Sequence, residues 1–163
     1  MEQNEKKTIR IGLLGFGAMG RTHTWAVQNL PFFYGELPFA CEVVGVCTTT
    51  QEKSERVARE FGMKIATTNE DDLINSPEID VIDVCTPNVY HYETLKKAIA
   101  AGKSVLCEKP FALTREDVTA MVRAANKEGN GKLMVGQVCR YNPGFMKAKE
   151  LIDSGAIGEL YYV

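Results

Sequence analysis

Residues 105–111 read VLCEKPF: an apolar run, Val105, Leu106 and Cys107, stops at an acid, a base and a proline, Glu108, Lys109 and Pro110. A lysine fixed at the end of a buried strand can hold a substrate hydroxyl, and its charge lowers the pKa of a neighbouring base. The competing reading is a solvated surface pair, worth little to stability. A Lys-Pro bond in such a turn is also a candidate for the cis isomer, which X-Pro bonds adopt in about 5–6% of cases.

GFGAMG, residues Gly15, Phe16, Gly17, Ala18, Met19 and Gly20, carries a second chemical signature, the GxGxxG spacing. It follows the apolar run IRIGLL and precedes a helical pattern, which is the context a dinucleotide-binding turn demands. Gly15 permits the tight turn, Gly17 lets the backbone approach a pyrophosphate, and Gly20 lets the helix pack closely on the strand. The helix N-terminus offers free N–H groups to the phosphates. A purely structural turn is the alternative.

Where the second strand ends, the acid that would hold an adenosine ribose 2′-OH is replaced by Cys47, Thr48, Thr49 and Thr50. Glu36 and Glu42 fall in the preceding loop and at the start of the strand, the wrong edge. The three hydroxyls suit a 2′-OH or a 2′-phosphate. With Lys53 a turn into the next helix and no arginine at hand, they leave NADP or NAD open, with a slight lean toward NADP.

After DVIDVC comes TPNVYH, in which Thr86 and Asn88 supply polar groups, Pro87 fixes the turn and His91 opens the next helix. The alternative is a well-capped loop with His91 as a packing or capping residue. His23, on the helix after the glycine turn, reads as facing the sheet or the loop of 31–40 rather than as a base. Two histidines in the chain cannot build a His-rich metal site, and no metal is expected.

The elements that must position these groups are legible as recurring apolar runs at 9–15, 41–47, 64–66, 80–85, 104–107 and 132–138. They are near-continuous rather than alternating, as strands covered on both faces require. Helical patterns lie between them at 18–30, over QEKSERVAREFG, over YETLKKAIAAG with Gly102 as its cap, and from Thr114 to about Glu128. Alternating strands and helices predict a doubly wound parallel sheet with helices on both faces, an α/β fold. LPFFYGELPFA at 30–40 reads as an ordered apolar loop, with a contact surface as the alternative. GELYYV reads as a strand beginning at Gly158, which suggests the front part of a longer protein.

The 163 residues predict one domain with a substantial core. A net charge of −2 offers no polyanion-binding surface, so nucleic acid is not an expected partner. The polar start MEQNEKKTIR lacks the apolar segment of a signal peptide, and no run approaches the roughly 18 apolar residues of a membrane span. A cytoplasmic protein without membrane contact is expected. The five cysteines, Cys41, Cys47, Cys85, Cys107 and Cys139, read as reduced, mostly buried thiols.

GFGAMG with the following His23, DVIDVCTPNVYHYETLKKAIAAGKSVLCEKP, and VCRYNPGFMKAKELIDSGAIGEL together resemble the Gfo/Idh/MocA family of oxidoreductases, which takes in glucose-fructose oxidoreductase and inositol dehydrogenase. The resemblance implies an N-terminal Rossmann domain binding NAD or NADP, here residues 1–157. A C-terminal α/β substrate domain would follow, of which 158–163 would be the first strand and the rest would be missing. It implies Lys109 as the catalytic lysine of an EKP motif and Glu108 as its cofactor-side neighbour. Thr86, Pro87, Asn88 and His91 would line the dinucleotide, and Gln137 and Arg140 would approach the nicotinamide or substrate edge. For Arg140 a salt-bridged surface role is the alternative.

The implied activity is hydride transfer between a nicotinamide cofactor and a secondary alcohol or ketone, on a sugar or cyclic polyol, by a full-length homo-oligomer. The proton-transfer Asp and His of the family would lie beyond Val163, so the chain alone is expected to bind cofactor without efficient turnover. A non-catalytic dinucleotide-binding sensor or regulatory module is the competing class; it would keep the glycine turn without needing Lys109.

Overall fold

A computed structural model of the protein describes residues 6–128 and 132–162. The start of the polar amino-terminal segment and the last residue of GELYYV lie outside them.

Among the described residues, six parallel strands form one sheet in the order β3-β2-β1-β4-β5-β6. They are β1 (Lys7–Leu14), β2 (Phe39–Cys47), β3 (Ile65–Thr67), β4 (Val81–Val84), β5 (Ser104–Cys107) and β6 (Leu133–Val135). The helices are α1 (Ala18–Tyr34), α2 (Gln51–Phe61), α3 (Glu70–Ile74), α4 (His91–Ala100), α5 (Arg115–Glu128) and α6 (Pro143–Asp153). Strand order reverses between β1 and β4, so the chain is doubly wound, as expected, with a crevice at the carboxyl ends of those two strands.

Strand alternation splits neighbouring apolar residues between two cores. Leu14, Ile82, Val84, Val105 and Cys107 meet Leu95, Ile99 and Met121 on the face covered by α3, α4 and α5. Leu13 and Val46 point the other way and meet Phe16, Val57, Ala58 and Met63. The near-continuous apolar runs follow from this double burial.

The helix ends obey local chemistry. The Thr50 hydroxyl accepts from Lys53 N–H at the start of α2, and Gly62 ends that helix at φ +74°. Thr114 accepts from Asp117 N–H, the expected capping contact of α5. Asn69 caps the five-residue α3, which the sequence pattern was too short to announce.

Two expectations need correction. The stretch 30–40 is not all loop, because α1 continues through Pro31 to Tyr34. Proline removes one N–H donor, but the helix resumes beyond it and closes where Gly35 N–H donates to the Pro31 carbonyl at 3.0 Å. The strand expected over 158–163 is not formed among its described residues, 158–162, since no neighbouring strand is there to take its hydrogen bonds.

The amino edge of the sheet is tied by charge. The Arg10 guanidinium donates to both Asp80 oxygens, at 3.0 and 2.7 Å, and its backbone N–H donates to the same carboxylate at 2.9 Å. Lys103 donates to the carbonyls of Ser76 and Ile79, both at 2.7 Å. No helix among the described residues is long and apolar enough to cross a membrane.

Candidate active site

Parallel register fixes which residues share the carboxyl edge. Cys47, Leu14, Val84, Cys107 and Val135 form one row across β2, β1, β4, β5 and β6. The next residues along, Thr48, Gly15, Cys85, Glu108 and Gly136, therefore begin five loops side by side.

The three glycines of the turn are constrained differently. Gly15, at φ +89°, donates to the Cys47 carbonyl at 2.9 Å, and a Cβ on it would stand 2.8 Å from the Cys85 carbonyl oxygen. A Cβ on Gly20 would lie 2.3 Å from the Gly15 carbonyl oxygen, so α1 can approach β1 only through a glycine. A Cβ on Gly17 would meet nothing within 4 Å beyond its own chain neighbours, among the described residues, and the φ of −90° there suits any residue. The protein gives no packing reason for glycine at 17, whereas a pyrophosphate lying on the turn does. Phe16 turns into the core, while Ala18 and Met19 are exposed on the first turn of α1.

The neighbouring loop points to the same ligand. Thr86, whose backbone nitrogen lies beside Gly15, has a buried hydroxyl oxygen with no hydrogen-bond partner among the described residues. Pro87 is exposed and Asn88 half-buried, starting a short 3-10 turn. Glycine backbone, open space at Gly17 and an unpartnered hydroxyl fit a dinucleotide.

At the end of β2 the hydroxyls are mostly committed elsewhere. Thr48 is buried, its hydroxyl 2.8 Å from the Ser54 hydroxyl and donating to the Thr50 carbonyl, and Thr50 caps α2. Thr49 alone is exposed without a local partner among the described residues. The lean toward NADP loses two of its three hydroxyls.

Glu108 and Lys109 diverge. Lys109 is exposed, while Glu108 is buried, with Oε2 accepting from Lys109 N–H at 3.0 Å. Its Oε1 lies 3.3 Å from His23 Nε2. The Lys109-Pro110 bond is cis. The buried Glu108 carboxylate thus lies between His23 and the Lys109 backbone.

Sequence reasoning missed Asp83. It lies on β4 facing α1, 4% exposed, and His23 Nδ1–H donates to its two oxygens at 2.8 and 3.0 Å. The signal was available: an acid inside the apolar run DVIDVC requires a partner. The hydrogen bond to Asp83 foremost, then the charges of Asp83 and Glu108, raise the His23 pKa against the opposing effect of burial. His23 faces the sheet, as expected.

His91 is 1% exposed, and its ring spans two loops: Nδ1 lies 3.0 Å from the Pro110 carbonyl and Nε2 2.9 Å from the Thr86 carbonyl. Both ring nitrogens thus face backbone carbonyls, one on each side of the ring. Gln137 and Arg140 are exposed beyond β6, and Arg140 faces α6 across a groove of about 870 Å³ shared with Phe145, Met146 and Asp153. Burial pushes the Cys47 thiol up to about 11 and the Cys107 thiol up to about 12; Cys85 is raised further, and Cys139 is exposed rather than buried.

Residues 9–137 match the model of an oxidoreductase family with an NAD-binding Rossmann fold. The chain is 35% identical over 154 residues to a levoglucosan dehydrogenase of Pseudarthrobacter phenanthrenivorans, covering 94% of this chain and 39% of that protein. It is 33% identical to an inositol 2-dehydrogenase of Rhizobium meliloti, covering 96% and 44%. An NAD binding oxidoreductase from Klebsiella pneumoniae has a similar structure, with a TM-score of 0.85 and 37% identity, over 93% of this chain and 40% of that one. So does levoglucosan dehydrogenase in complex with NADH and levoglucosan, with a TM-score of 0.86 and 34% identity over 94% and 41%. The chain spans about two fifths of the length of the relatives it matches.

Proposed function

The chain belongs to the Gfo/Idh/MocA family of NAD-binding oxidoreductases, and from that premise we propose that residues 1–157 are the dinucleotide-binding domain of a sugar or cyclic polyol dehydrogenase. Residues from 158 onward open its substrate domain. The relatives' names, levoglucosan and inositol dehydrogenase, support that substrate class.

The observation that carries the reading is the adjacency of three strand ends: the glycine turn after β1, the Thr86 loop after β4 and the Lys109 turn after β5. Backbone at Gly15, Gly17 and Gly20 and the first turn of α1, with Ala18 and Met19, hold the pyrophosphate. Thr49 takes the ribose edge, and Thr86, Pro87 and Asn88 take the nicotinamide half. When bound, the nicotinamide ring supplies the hydride acceptor. Lys109 binds the substrate hydroxyl and carries positive charge to the oxygen that loses its proton, while Gln137 and Arg140 border the substrate.

In the full-length protein, Lys109→Ala should lower turnover by about 100-fold or more while NADH affinity changes by less than about twofold. Steady-state kinetics with a fluorescence titration measures both. Undiminished turnover of the true substrate would sink the role given to Lys109.

A further inference from the structure

We propose that His23 is a positioning residue for Lys109: held between Asp83 and Glu108, its ring fixes the carboxylate to which the Lys109 backbone is tied, and loss of one ring proton releases that tie. The inference rests on the role proposed above for Lys109.

Glu108 has little freedom. Oε1 pairs with His23 Nε2, Oε2 accepts from Lys109 N–H, and a Cβ on Gly136 would stand 2.9 Å from Oε1. An imidazolium carries N–H on both nitrogens, and a neutral imidazole on one. When the ring becomes neutral, the remaining proton stays on Nδ1, where two Asp83 oxygens lie at 2.8 and 3.0 Å against one Glu108 oxygen at 3.3 Å on the other side. Glu108 then faces a lone pair in a buried site and must turn away, taking its bond to Lys109 N–H with it.

The groups facing His23 are Asp83 from β4, Cys85 just after it and Glu108 just after β5. Cys85 Sγ lies 3.4 Å from Nδ1, and burial raises its pKa, so it stays a thiol and adds no charge. His23, Asp83 and Cys85 are also of metal-ligating types, with ligand atoms within 4.8 Å. Tetrahedral zinc would hold N and O ligands about 3.3 Å apart. The 2.8 Å separation is that of a shared proton.

NMR of the ¹⁵N-labelled chain without cofactor tests the coupling. The Lys109 amide resonance should shift with the same midpoint as the His23 ring nitrogens, above the ordinary 6.5, and this shift should be lost in His23→Gln. Gly136→Ala changes no ionisable group but crowds Glu108; it should lower the His23 midpoint and uncouple the Lys109 amide. A Lys109 amide that stays still through the His23 midpoint, or that titrates alike in wild type and Gly136→Ala, overturns the inference. The wild-type titration needs no variant, so it decides even where His23→Gln misfolds. A parallel NADH titration separates the two claims: no NADH binding at any pH overturns the proposed function, whereas normal binding without coupling overturns only the role of His23. In the full-length enzyme the coupling reads as a kcat that falls above the His23 midpoint with NADH affinity unchanged.

Discussion

Gly17→Ala and Gly20→Ala place the same methyl three residues apart in one turn, and the two variants should fail in opposite ways. At Gly20 the new Cβ would lie 2.3 Å from the Gly15 carbonyl oxygen, where ordinary contact begins at 3.4 Å. The first turn of α1 must therefore lift from β1 by about 1 Å, an overpacking that typically costs about 1–3 kcal/mol. Alanine's better helix propensity offsets at most about 1 kcal/mol of this. A contact this short against backbone lies at the upper end of that cost, so the net loss is about 2 kcal/mol, which lowers the Tm by roughly 4–8 °C in a chain of this size.

At Gly17 the backbone suits alanine and a Cβ would meet nothing within 4 Å beyond its own chain neighbours, among the described residues, so stability should hold within about 0.5 kcal/mol. A methyl in the space of the pyrophosphate, however, opposes binding by about 1–3 kcal/mol, or roughly 5- to 150-fold in the Kd for NADH. Thermal denaturation followed by circular dichroism and NADH fluorescence titration measure the two effects. Wild-type affinity in Gly17→Ala would refute the turn as the pyrophosphate site, and a wild-type Tm in Gly20→Ala would refute the packing argument.

Three further outcomes follow from the same geometry. His91→Ala leaves the Thr86 and Pro110 carbonyls without their bridge and opens a cavity, and should cost about 2–4 kcal/mol in urea unfolding; a loss below about 0.5 kcal/mol would show that the ring ties nothing. Thiol alkylation followed by mass spectrometry should modify exposed Cys139 first and Cys107, 0% exposed and pushed up to about 12, last; the reverse order would contradict the burial pattern. The pH profile of Tm has two sides. His23, with its raised pKa, stabilises fully below 6.5, and that contribution is lost as pH rises through the folded value. Asp80, lowered chiefly by its hydrogen bond to Arg10, stabilises above 3.8, and that contribution is lost as pH falls through its lower folded value. A profile in which His23→Gln declines on the alkaline side as wild type does would remove His23 from the account.

The strands were legible because double burial writes itself as unbroken apolar runs, and the glycine turn because its context is local. The place of Lys109 at the end of β5 was legible for the same reason, as one short motif at one strand end. The Asp83-His23-Glu108 chain was not, since its members stand about 25 to 85 residues apart and meet only when the fold brings His23 of α1 against Asp83 on β4 and the residue that ends β5. A histidine at the start of a helix beside a ligand loop gives no sign in the sequence of whether its ring turns outward or, as at His91, toward backbone carbonyls. The continuation of α1 past Pro31 was hidden because a proline ordinarily ends a helix, and only the bond closing at Gly35 shows that this one goes on.

The Arg10-Asp80 clip and the two carbonyls held by Lys103 lie at the entrances to β4 and β5, the opposite ends of those strands from the Thr86 loop and Lys109. Tightness and chemistry thus have separate addresses on this scaffold. A designer can harden the chain against heat at the first edge, or alter ligand contacts at the second, with each set of changes adding to the other instead of competing.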